Sequence, residues 1–405
     1  MSIETAAGTM AGHLERQDFV EIYAHHDADG IAAASIMCMA MVRRDKKFRL
    51  RIVADLQTDS ISPESGTLLC DLGSGLPDLR EDVMVIDHHL PGFSGGFHVN
   101  PRLFGIDGDR ELSASGAAYL VANELGDNRD LAGLAVLGMV GDGQEIAGKN
   151  KEIFNDGVAE GIITPGRGLH LAGRDPVERL YISTNPYLPG ISGNQASVES
   201  VLDRSTGDED TDPSLLLSLL IIETGGIAGT GISRTLYGDM FSLEREVIPD
   251  AHTLAAVTDA CGKTGKGGLA VSLCMRSAAG VDEAWETARS FRLQVISALD
   301  RVCQEDSQDG IYEVDDHLVI SDVADALSSD CREGRTVLVI GKDHEMCHVS
   351  ARCPGGGTRD LGVVIRKIAS ECGGSGGGHR LRGGATIPCS KILQFRSAWQ
   401  EAVLS

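Results

Sequence analysis

The chain has 405 residues, of which 42% are hydrophobic and only 4% aromatic, so it is long enough for two or three domains with cores of small aliphatic side chains. Its 59 acidic and 36 basic residues give a formal net charge of −23, which argues against a protein that coats nucleic acid by charge alone. The sequence contains no apolar run of about 18 residues and no basic, then apolar leader, so we expect a cytoplasmic protein with no membrane contact.

The first clear element is a strand signal at residues 19–24, where apolar and polar residues alternate. It runs directly into the sequence HHDADG. Because alternate side chains of an extended segment share one face, His25, Asp27 and Asp29 are expected to converge. The residues that follow, 31–42, are rich in Ala and Met and predict a helix whose positively polarised N-terminus faces the same place.

Three later apolar segments also end in side chains that can bind a metal ion. Two are strand-like and one is helical, at residues 67–70, 83–86 and 131–140. The side chains that follow them are Asp71, Asp87, His88, His89 and Asp142. In an open α/β sheet, ligands bind at the carboxyl ends of the strands, so these polar ends are expected to meet at one edge of a parallel sheet.

Six of these side chains make a set of four carboxylates and two imidazoles: His25, Asp27, Asp29, Asp71, His88 and Asp142. For any one of them alone, a helix cap or a solvated turn residue is the simpler interpretation. The joint pattern over four element ends indicates a pair of divalent cations bridged by one carboxylate, with manganese favoured and magnesium as the alternative. Two such cations can activate water and stabilise phosphoryl oxygens, so the predicted chemistry is phosphoester hydrolysis.

The second half of the chain alternates helix and strand signals. Residues 269–275 and 317–320 are short apolar runs that predict strands, and residues 282–302 predict a long amphipathic helix. Close to the C-terminus, the glycine-rich sequence GGSGGGH is followed by two arginines. Backbone N–H groups in such a segment can bind an anion, so we predict a phosphate site there.

The motifs resemble those of a known family. The segments AHHDADG, LLCDLGSG, VIDHHLPG and GMVGDG are similar, in this order, to the four motifs of the DHH phosphoesterase superfamily, and GGGHRLRGGATIP resembles the glycine-histidine motif of its DHHA1 C-terminal domain. The resemblance covers residues 20–405. The form HxDxDG, with NPYLPGISGN and DACGKTGKGG further on, is most similar to archaeal RecJ-like single-strand exonucleases, including the GINS-associated nuclease.

This resemblance implies an α/β architecture in which an N-terminal parallel-sheet DHH domain is joined to a smaller C-terminal α/β DHHA1 domain, with the active site in the cleft between them. Residues 1–18 are expected to be a frayed tail or a short helix. The remaining boundaries are expected at 19–184 for the DHH domain, 185–248 for a connector and 249–405 for the DHHA1-like substrate-binding domain.

The resemblance also implies a role for each side chain of the predicted metal site. The ligands are divided between two ions and a bridge: His25 and Asp27 for one ion, Asp29, His88 and Asp142 for the other, and Asp71 for the bridge. Beside the ions, His89 is expected to contact the scissile phosphate. Asp87 is expected to orient the histidines as a hydrogen-bond acceptor, a role that the chemistry of metal sites also favours.

The substrate is implied to meet the C-terminal domain at four residues: Arg352, Gly377, Gly378 and His379. They would bind a phosphate or a terminal nucleotide through backbone N–H groups and a bidentate guanidinium. Nuclease relatives carry Asn and Arg in an NACGR-like segment where this chain has Asp259 and Lys263. Lys263 can still contact a phosphate, but without the planar fork of an arginine.

The leading hypothesis is therefore a metal-dependent phosphodiesterase that hydrolyses single-stranded DNA or RNA from an end, with GINS or other replisome proteins as partners. The first alternative is a phosphodiesterase for short oligonucleotides or cyclic dinucleotides. The acidic composition favours that alternative slightly, whereas the long connector favours the nuclease. The second alternative is a non-catalytic replisome scaffold subunit, but such relatives typically lose ligands, and here all six are present.

Overall fold

The computed structural model describes residues 2–56, 58–61, 66–76, 78–206, 212–225, 235–304, 309–329, 336–353 and 360–403. The chain divides into two compact units, each made of two stretches of sequence. The first unit comprises Met1–Gly166 and Met240–Ala288, and the second comprises Arg167–Asp239 and Arg289–Ser405. The chain therefore passes from one unit to the other three times.

The helices and strands up to the first passage are, in chain order, α1 (Ile3–Leu14), β1 (Phe19–His25), α2 (Ala28–Arg43), β2 (Lys47–Val53), β3 (Gly66–Cys70), β4 (Met84–Ile86), β5 (His98–Val99), α3 (Ala114–Leu125), α4 (Ala132–Gly141), α5 (Gly148–Ala159) and β6 (Ile163–Leu169). Those that follow are α6 (Pro176–Tyr181), α7 (Gln195–Ser205), α8 (Pro213–Gly225), β7 (Tyr237–Leu243), α9 (Ala251–Lys263), α10 (Gly267–Cys274), α11 (Val281–Val302), β8 (Ile311–Val314), α12 (Ile320–Ser329), β9 (Val337–Asp343), β10 (Met346–Arg352), α13 (Leu361–Glu371), β11 (Ser375–Gly378), β12 (Arg382–Pro388) and α14 (Ile392–Val403).

The first unit is built on a parallel sheet, as the sequence predicted, and this sheet has five strands in the order β2-β1-β3-β4-β5. Its strands β3 and β4 are buried along their whole length, which explains why both read as continuous apolar runs. Since all the strands are parallel, their carboxyl ends lie at one edge. The polar side chains that follow β1, β3 and β4 are thereby brought to the same edge.

Helices cover this sheet. The alanine-rich helix α2 packs against α3 and α4, and α1 packs against α3. The segment 1–18, expected to be a tail or a short helix, thus contains an ordered helix. The hydroxyl of Ser2 caps it by accepting a hydrogen bond from the N–H of Thr5, and Met10 and Leu14 are buried.

Helices α9 and α10 belong to the first unit, where both contact α2 and α9 also contacts α4. This division differs from the predicted boundary at residue 248, which assigned both helices to the C-terminal domain. The predicted strand at residues 269–275 is wrong, because these residues lie in α10 and its C-cap. An apolar run of seven residues fits a buried helix as well as a buried strand, and the sequence alone gives no way to separate the two.

The second unit contains a mixed five-stranded sheet with the order β11-β12-β10-β9-β8. Strands β8 and β9 are parallel and the other pairs are antiparallel. Helices α13 and α14 pack against it around the buried Phe395 and Trp399, and α12 contacts β9 and β10. This small α/β domain matches the predicted C-terminal architecture. A separate apolar cluster in the same unit joins α6, α7 and α8.

The predicted strand at residues 317–320 is also wrong. Residues His317–Val319 form a 3-10 helix, and α12 begins at Ile320. The carboxylate of Asp316 accepts a hydrogen bond from the N–H of Leu318 at 2.9 Å, which starts the helical turn. Among the helices that the structure describes, none has the length and apolar character needed to cross a membrane.

Candidate active site

The turn between β1 and α2 brings the first two predicted ligands together. Asp27 is the N-cap of α2, and its Oδ1 accepts a hydrogen bond from the N–H of Gly30 at 3.0 Å. Its other oxygen, Oδ2, lies 2.7 Å from His25 Nδ1. The turn requires glycine at position 30, because a Cβ there would lie 2.6 Å from the carbonyl oxygen of His25. The local sequence therefore fixes this pair.

Asp71 stands at the centre of the site. It follows β3 in a left-handed backbone conformation, with φ of 58°, and it is buried. Its Oδ2 lies 3.4 Å from His25 Nδ1, and its Oδ1 lies 3.3 Å from His88 Nε2. One carboxylate thus presents one oxygen to each of two histidines that come from different strands.

The second group of predicted ligands surrounds His88. Its Nε2 lies 3.1 Å from Asp142 Oδ2 and 3.8 Å from Asp29 Oδ2. Asp29 is fully buried, and its carboxylate accepts hydrogen bonds from the N–H groups of Ala114 and Ser115, at 2.8 and 2.9 Å. These are the first residues of α3, so the positive end of that helix stabilises the buried carboxylate.

The orientation of the His88 ring is fixed by contacts to Nδ1, the nitrogen that faces away from the carboxylates. Its Nδ1 lies 2.6 Å from the carbonyl oxygen of Gly108, to which the side-chain amide of Gln144 also donates at 2.9 Å. A carbonyl only accepts hydrogen bonds, so the ring proton resides on Nδ1. Nε2 then faces the carboxylates, and it is the nitrogen that is available to a metal ion.

Asp87 lies beside the two groups, and both of its oxygens accept hydrogen bonds from the protein. Its Oδ1 accepts hydrogen bonds from the N–H of His88 at 2.7 Å and from Nδ1 of His89 at 2.7 Å, and its Oδ2 accepts one from the N–H of Ser74 at 2.9 Å. The carboxylate therefore orients the DHH segment, which supports the positioning role expected for it. His89 keeps 31% of its side chain exposed, so solvent reaches its ring.

The site carries an excess of buried negative charge. Burial, together with the charges of Asp142 and Asp71, raises the pKa of Asp29 to about 8. Burial and the charge of Asp27 likewise raise the pKa of Asp71. Burial by itself would lower the pKa of His25, but the carboxylates of Asp27 and Asp71 raise it well above 6.5. Bound cations would relieve this repulsion.

The residues present fit two divalent cations. Their ligand atoms form two groups, each with all atoms within 4.8 Å of one another: His25, Asp27 and Asp71, and Asp29, His88 and Asp142. No described residue donates a hydrogen bond to the buried Asp71 Oδ1, which leaves that oxygen to bind an ion. Carboxylates combined with imidazoles suit Mn²⁺ or Mg²⁺.

Several residues that hold the ligands in place were missed by sequence reasoning. Gly138 of α4 is one, since a Cβ there would lie 2.0 Å from Asp29 Oδ1 and 2.1 Å from Ser115 Oγ. Gly108 is another, through its carbonyl contact with His88. The only signal was the presence of Gly138 in the segment GMVGDG, and no pattern marked the carbonyl of Gly108.

Two cationic side chains predicted to bind substrate are paired with carboxylates. Arg352 is buried on β10, where its Nε and Nη2 donate to Asp325 at 2.6 and 3.0 Å. Lys263, in the last turn of α9, places Nζ 2.5 Å from Asp259 Oδ2. A phosphate would have to compete with these carboxylates. The sequence did not reveal the Arg352 pair, because its partner lies 27 positions away.

The glycine-histidine segment forms a strand and a tight turn, and not the open nest of N–H groups expected from the sequence. Gly377 and Gly378 lie in β11, paired with β12. Gly378 has φ of 136°, and a Cβ there would lie 2.4 Å from the carbonyl oxygen of Arg382. The N–H of His379 donates to that same carbonyl at 2.8 Å. Glycine is needed here for strand pairing and the turn.

Comparison with known protein families decides what this C-terminal sheet is. Residues 312–404 match the DHHA1 domain family. The chain carries a DHHA1 domain. Over 423 aligned residues it is 26% identical to the uncharacterized protein MJ0831 of Methanocaldococcus jannaschii, and the match covers 96% of this chain and 94% of that protein. DHHA1 is the domain that the glycine-histidine motif indicated.

Solved structures share the fold of the whole chain. RecJ of Thermus thermophilus in complex with Mn²⁺ superposes with a TM-score of 0.59 at 16% identity, covering 99% of this chain and 54% of RecJ, and it is also known with Mg²⁺. CDC45 of Entamoeba histolytica superposes with a TM-score of 0.60 at 10% identity, covering 100% of this chain and 99% of CDC45. The chain therefore has a RecJ-like fold with a C-terminal DHHA1 domain, and it spans about half the length of Thermus RecJ.

Proposed function

We propose that this DHHA1 protein is a metal-dependent phosphoesterase that hydrolyses single-stranded DNA or RNA from an end. The position of Asp71, with one oxygen facing each of two ligand groups, is the observation that carries this conclusion. When bound, two divalent cations supply Lewis acidity toward a phosphate and lower the pKa of an attacking water molecule. RecJ is known with Mn²⁺ and with Mg²⁺, which supports a divalent cation, and the combination of imidazole and carboxylate ligands favours manganese.

Separate residues of the chain bind the two ions and the substrate phosphate. His25 and Asp27 hold one ion, and Asp29, His88 and Asp142 hold the other. His89 binds the phosphate that is to be cleaved. Although burial lowers the pKa of His89, the adjacent Asp87 carboxylate raises it above 6.5. The ring can therefore carry a positive charge and donate a hydrogen bond to a phosphate oxygen.

We assign contacts to the rest of the substrate to Lys263, in exchange for its pairing with Asp259, and to Gly377 and Gly378 of β11 with His379 after them. Arg352 would reach a phosphate only by leaving Asp325, so we assign it a positioning role between β10 and α12. Single-stranded nucleic acid in the cytoplasm is the proposed substrate. Replisome proteins such as GINS are the proposed partners, by analogy with the archaeal nucleases that the motifs resemble.

One observation favours a second candidate. The net charge of −23 repels a long polyanion, whereas a dinucleotide carries little charge to be repelled. A phosphodiesterase for very short oligonucleotides or cyclic dinucleotides would keep the same metal ligands and the same chemistry. The two candidates differ only in the length of substrate that is cleaved.

The test is Mn²⁺-dependent release of nucleotides from end-labelled single strands of graded length, with the wild type and Asp71→Asn. We expect cleavage of long strands by the wild type, and a rate for Asp71→Asn that is lower by more than about 100-fold, since the loss of an outer hydrogen-bonding partner alone typically costs 10- to 100-fold. Asp127→Asn, which changes an exposed carboxylate, is the matched control and should retain the wild-type rate.

Three outcomes would contradict parts of this scheme. A wild-type rate for Asp71→Asn would show that the Asp71 carboxylate does not bridge two ions. Cleavage restricted to dinucleotides would establish the second candidate. Mn²⁺ binding by calorimetry without cleavage of any strand would leave a protein that keeps the ligands without the reaction, and would overturn the proposed enzyme.

A further inference from the structure

A second cluster of metal-binding side chains lies in the second unit, on elements that the proposed reaction does not use. His317 begins the 3-10 helix before α12, Asp343 is the last residue of β9, and His348 is in the middle of β10. Their ligand atoms all lie within 4.8 Å of one another. Three separate elements thus bring two imidazoles and a carboxylate to one place.

The fold brings the two imidazoles close together. Their rings stack with centroids 4.7 Å apart and planes inclined by 29°. Gly341 of β9 makes this possible, because a Cβ at that position would lie 2.6 Å from the Cα of His317 and would push the 3-10 helix away. The absence of a side chain at Gly341 therefore determines how closely His317 approaches the strand.

The ring of His348 is also oriented. It pairs in register with Thr386 of β12, and its Nδ1 lies 3.2 Å from Thr386 Oγ1. This contact occupies Nδ1, so Nε2 is the nitrogen that a metal ion would use. A hydrogen-bonding partner on one nitrogen and a metal on the other is the usual arrangement of a histidine ligand.

The site is reachable and carries negative charge. The side chains of His317 and Asp343 are 29% and 44% exposed. Asp316 Oδ1 lies 3.9 Å from His317 Nδ1, and His344 Nε2 lies 3.6 Å from Asp343 Oδ1.

We propose that His317, Asp343 and His348 bind a zinc-type divalent transition metal ion. Two imidazoles and one carboxylate are a known three-residue set for zinc, and water or the adjacent His344 can complete the tetrahedron. Small rotations of the partly exposed side chains bring the three ligand atoms to zinc distances of about 2.0–2.2 Å. The ion would tie the start of α12 to the hairpin of β9 and β10.

The experiment measures binding of Zn²⁺ and of Co²⁺ to the full chain. In the Asp71→Asn background, which weakens the first site, equilibrium dialysis should show one fewer Zn²⁺ per chain when His317→Gln and His348→Gln are added. The visible absorption of tetrahedral Co²⁺ should disappear with the same two changes. His13→Gln, a histidine of α1, is the matched control and should leave both signals unchanged.

A single substitution keeps the test informative if the double change disturbs folding. Asp343→Asn alters a partly exposed side chain, and we expect it to weaken Zn²⁺ binding by about 10-fold or more while the circular dichroism spectrum is retained. Equal Zn²⁺ stoichiometry with and without the histidine changes would overturn the site. So would full Zn²⁺ affinity in Asp343→Asn. Either result would leave the proposed phosphoesterase untouched, since none of these residues belongs to it.

Discussion

Burial changes the pKa of single carboxylates in this protein, and with it the pH at which they ionise. Glu246 is an example away from the candidate active site. It is 7% exposed, and among the residues that the structure describes Arg276 is its cationic partner, with Nη2 at 3.3 Å from Oε1. Arg276 is shared with Asp130, to which its Nη1 donates at 2.7 Å. Burial therefore dominates and raises the pKa of Glu246 to about 7.

The substitution Glu246→Gln should make the protein more stable at alkaline pH. Since the pKa of Glu246 is about 7 in the folded chain and 4.5 ordinarily, the folded state holds one proton more than the unfolded state between those values. The free energy of unfolding therefore falls as pH rises through this window, by about 3 kcal/mol. Glutamine cannot ionise and so does not undergo this loss. The free energy of unfolding of the variant at pH 8 should therefore be larger than that of the wild type.

Urea unfolding at pH 5 and pH 8 measures this difference. Glu244→Gln, an exposed neighbour in the same segment, is the control and should be within about 0.5 kcal/mol of the wild type at both pH values. An equal difference between Glu246→Gln and the wild type at pH 5 and at pH 8 would show that the proton on Glu246 has no part in the stability.

The six predicted ligands could be assigned to one edge of the sheet because each follows an apolar run that the sequence displays, and the structure brings their ligand atoms together in two groups. What holds them could not be predicted in the same way. The carbonyl of Gly108 contacts His88 across 20 positions, and Asp325 pairs with Arg352 across 27. Such contacts depend on tertiary packing, which leaves no periodic pattern in the chain.

Among the helices, the packing of α4 against α2 and α3 is the contact on which the site depends. Gly138 is where α4 passes the Asp29 carboxylate, with space for a hydrogen atom and no more. A methyl group there must displace Asp29 or separate the helices. The glycine thus connects helix packing to the position of a proposed metal ligand.

The substitution Gly138→Ala should therefore weaken Mn²⁺ binding by about 10- to 100-fold, an effect of the size produced by losing a partner of a metal ligand. Titration calorimetry with Mn²⁺ measures it. Gly133→Ala in the same helix is the control, since its Cβ would lie 3.4 Å from the nearest heavy atom, Glu246 Oε1. Wild-type Mn²⁺ affinity in Gly138→Ala would show that Asp29 tolerates the displacement.

Elements were predictable where hydrophobic pattern and topology agree. The strands β3 and β4 were identified because continuous apolar runs suit the middle of a parallel sheet. The run at residues 269–275 has the same character, but it packs as α10 against α2. Residues 317–320 became helical because Asp316 caps a turn. The pattern is the same in each case, and the tertiary environment decides the outcome.

On the scale of the whole molecule, each unit is assembled from separate parts of the chain. The segment 240–288 returns to the first unit after the chain has built α6, α7 and α8 of the second. The predicted boundaries at residues 184 and 248 divide the chain into contiguous domains, so they cannot describe a unit that is made of two separate stretches. The DHHA1 match begins later still, at residue 312. The first unit is therefore completed by residues beyond the boundary predicted for it.

Truncation after residue 248 should consequently damage the first unit, whereas truncation after residue 288 should spare it. Fragment 1–248 lacks three fully buried or nearly fully buried side chains of α9 and α10, Leu254, Val257 and Leu273. At about 1.5–3 kcal/mol for each buried side chain, it should lose at least about 4 kcal/mol of unfolding free energy and expose apolar surface on α2 and α4. Both fragments contain residues 167–239, so any difference in stability between them is caused by residues 249–288. Dye binding to exposed apolar surface and the urea midpoint would measure it. Equal values for the two fragments would mean that the first unit folds without α9 and α10.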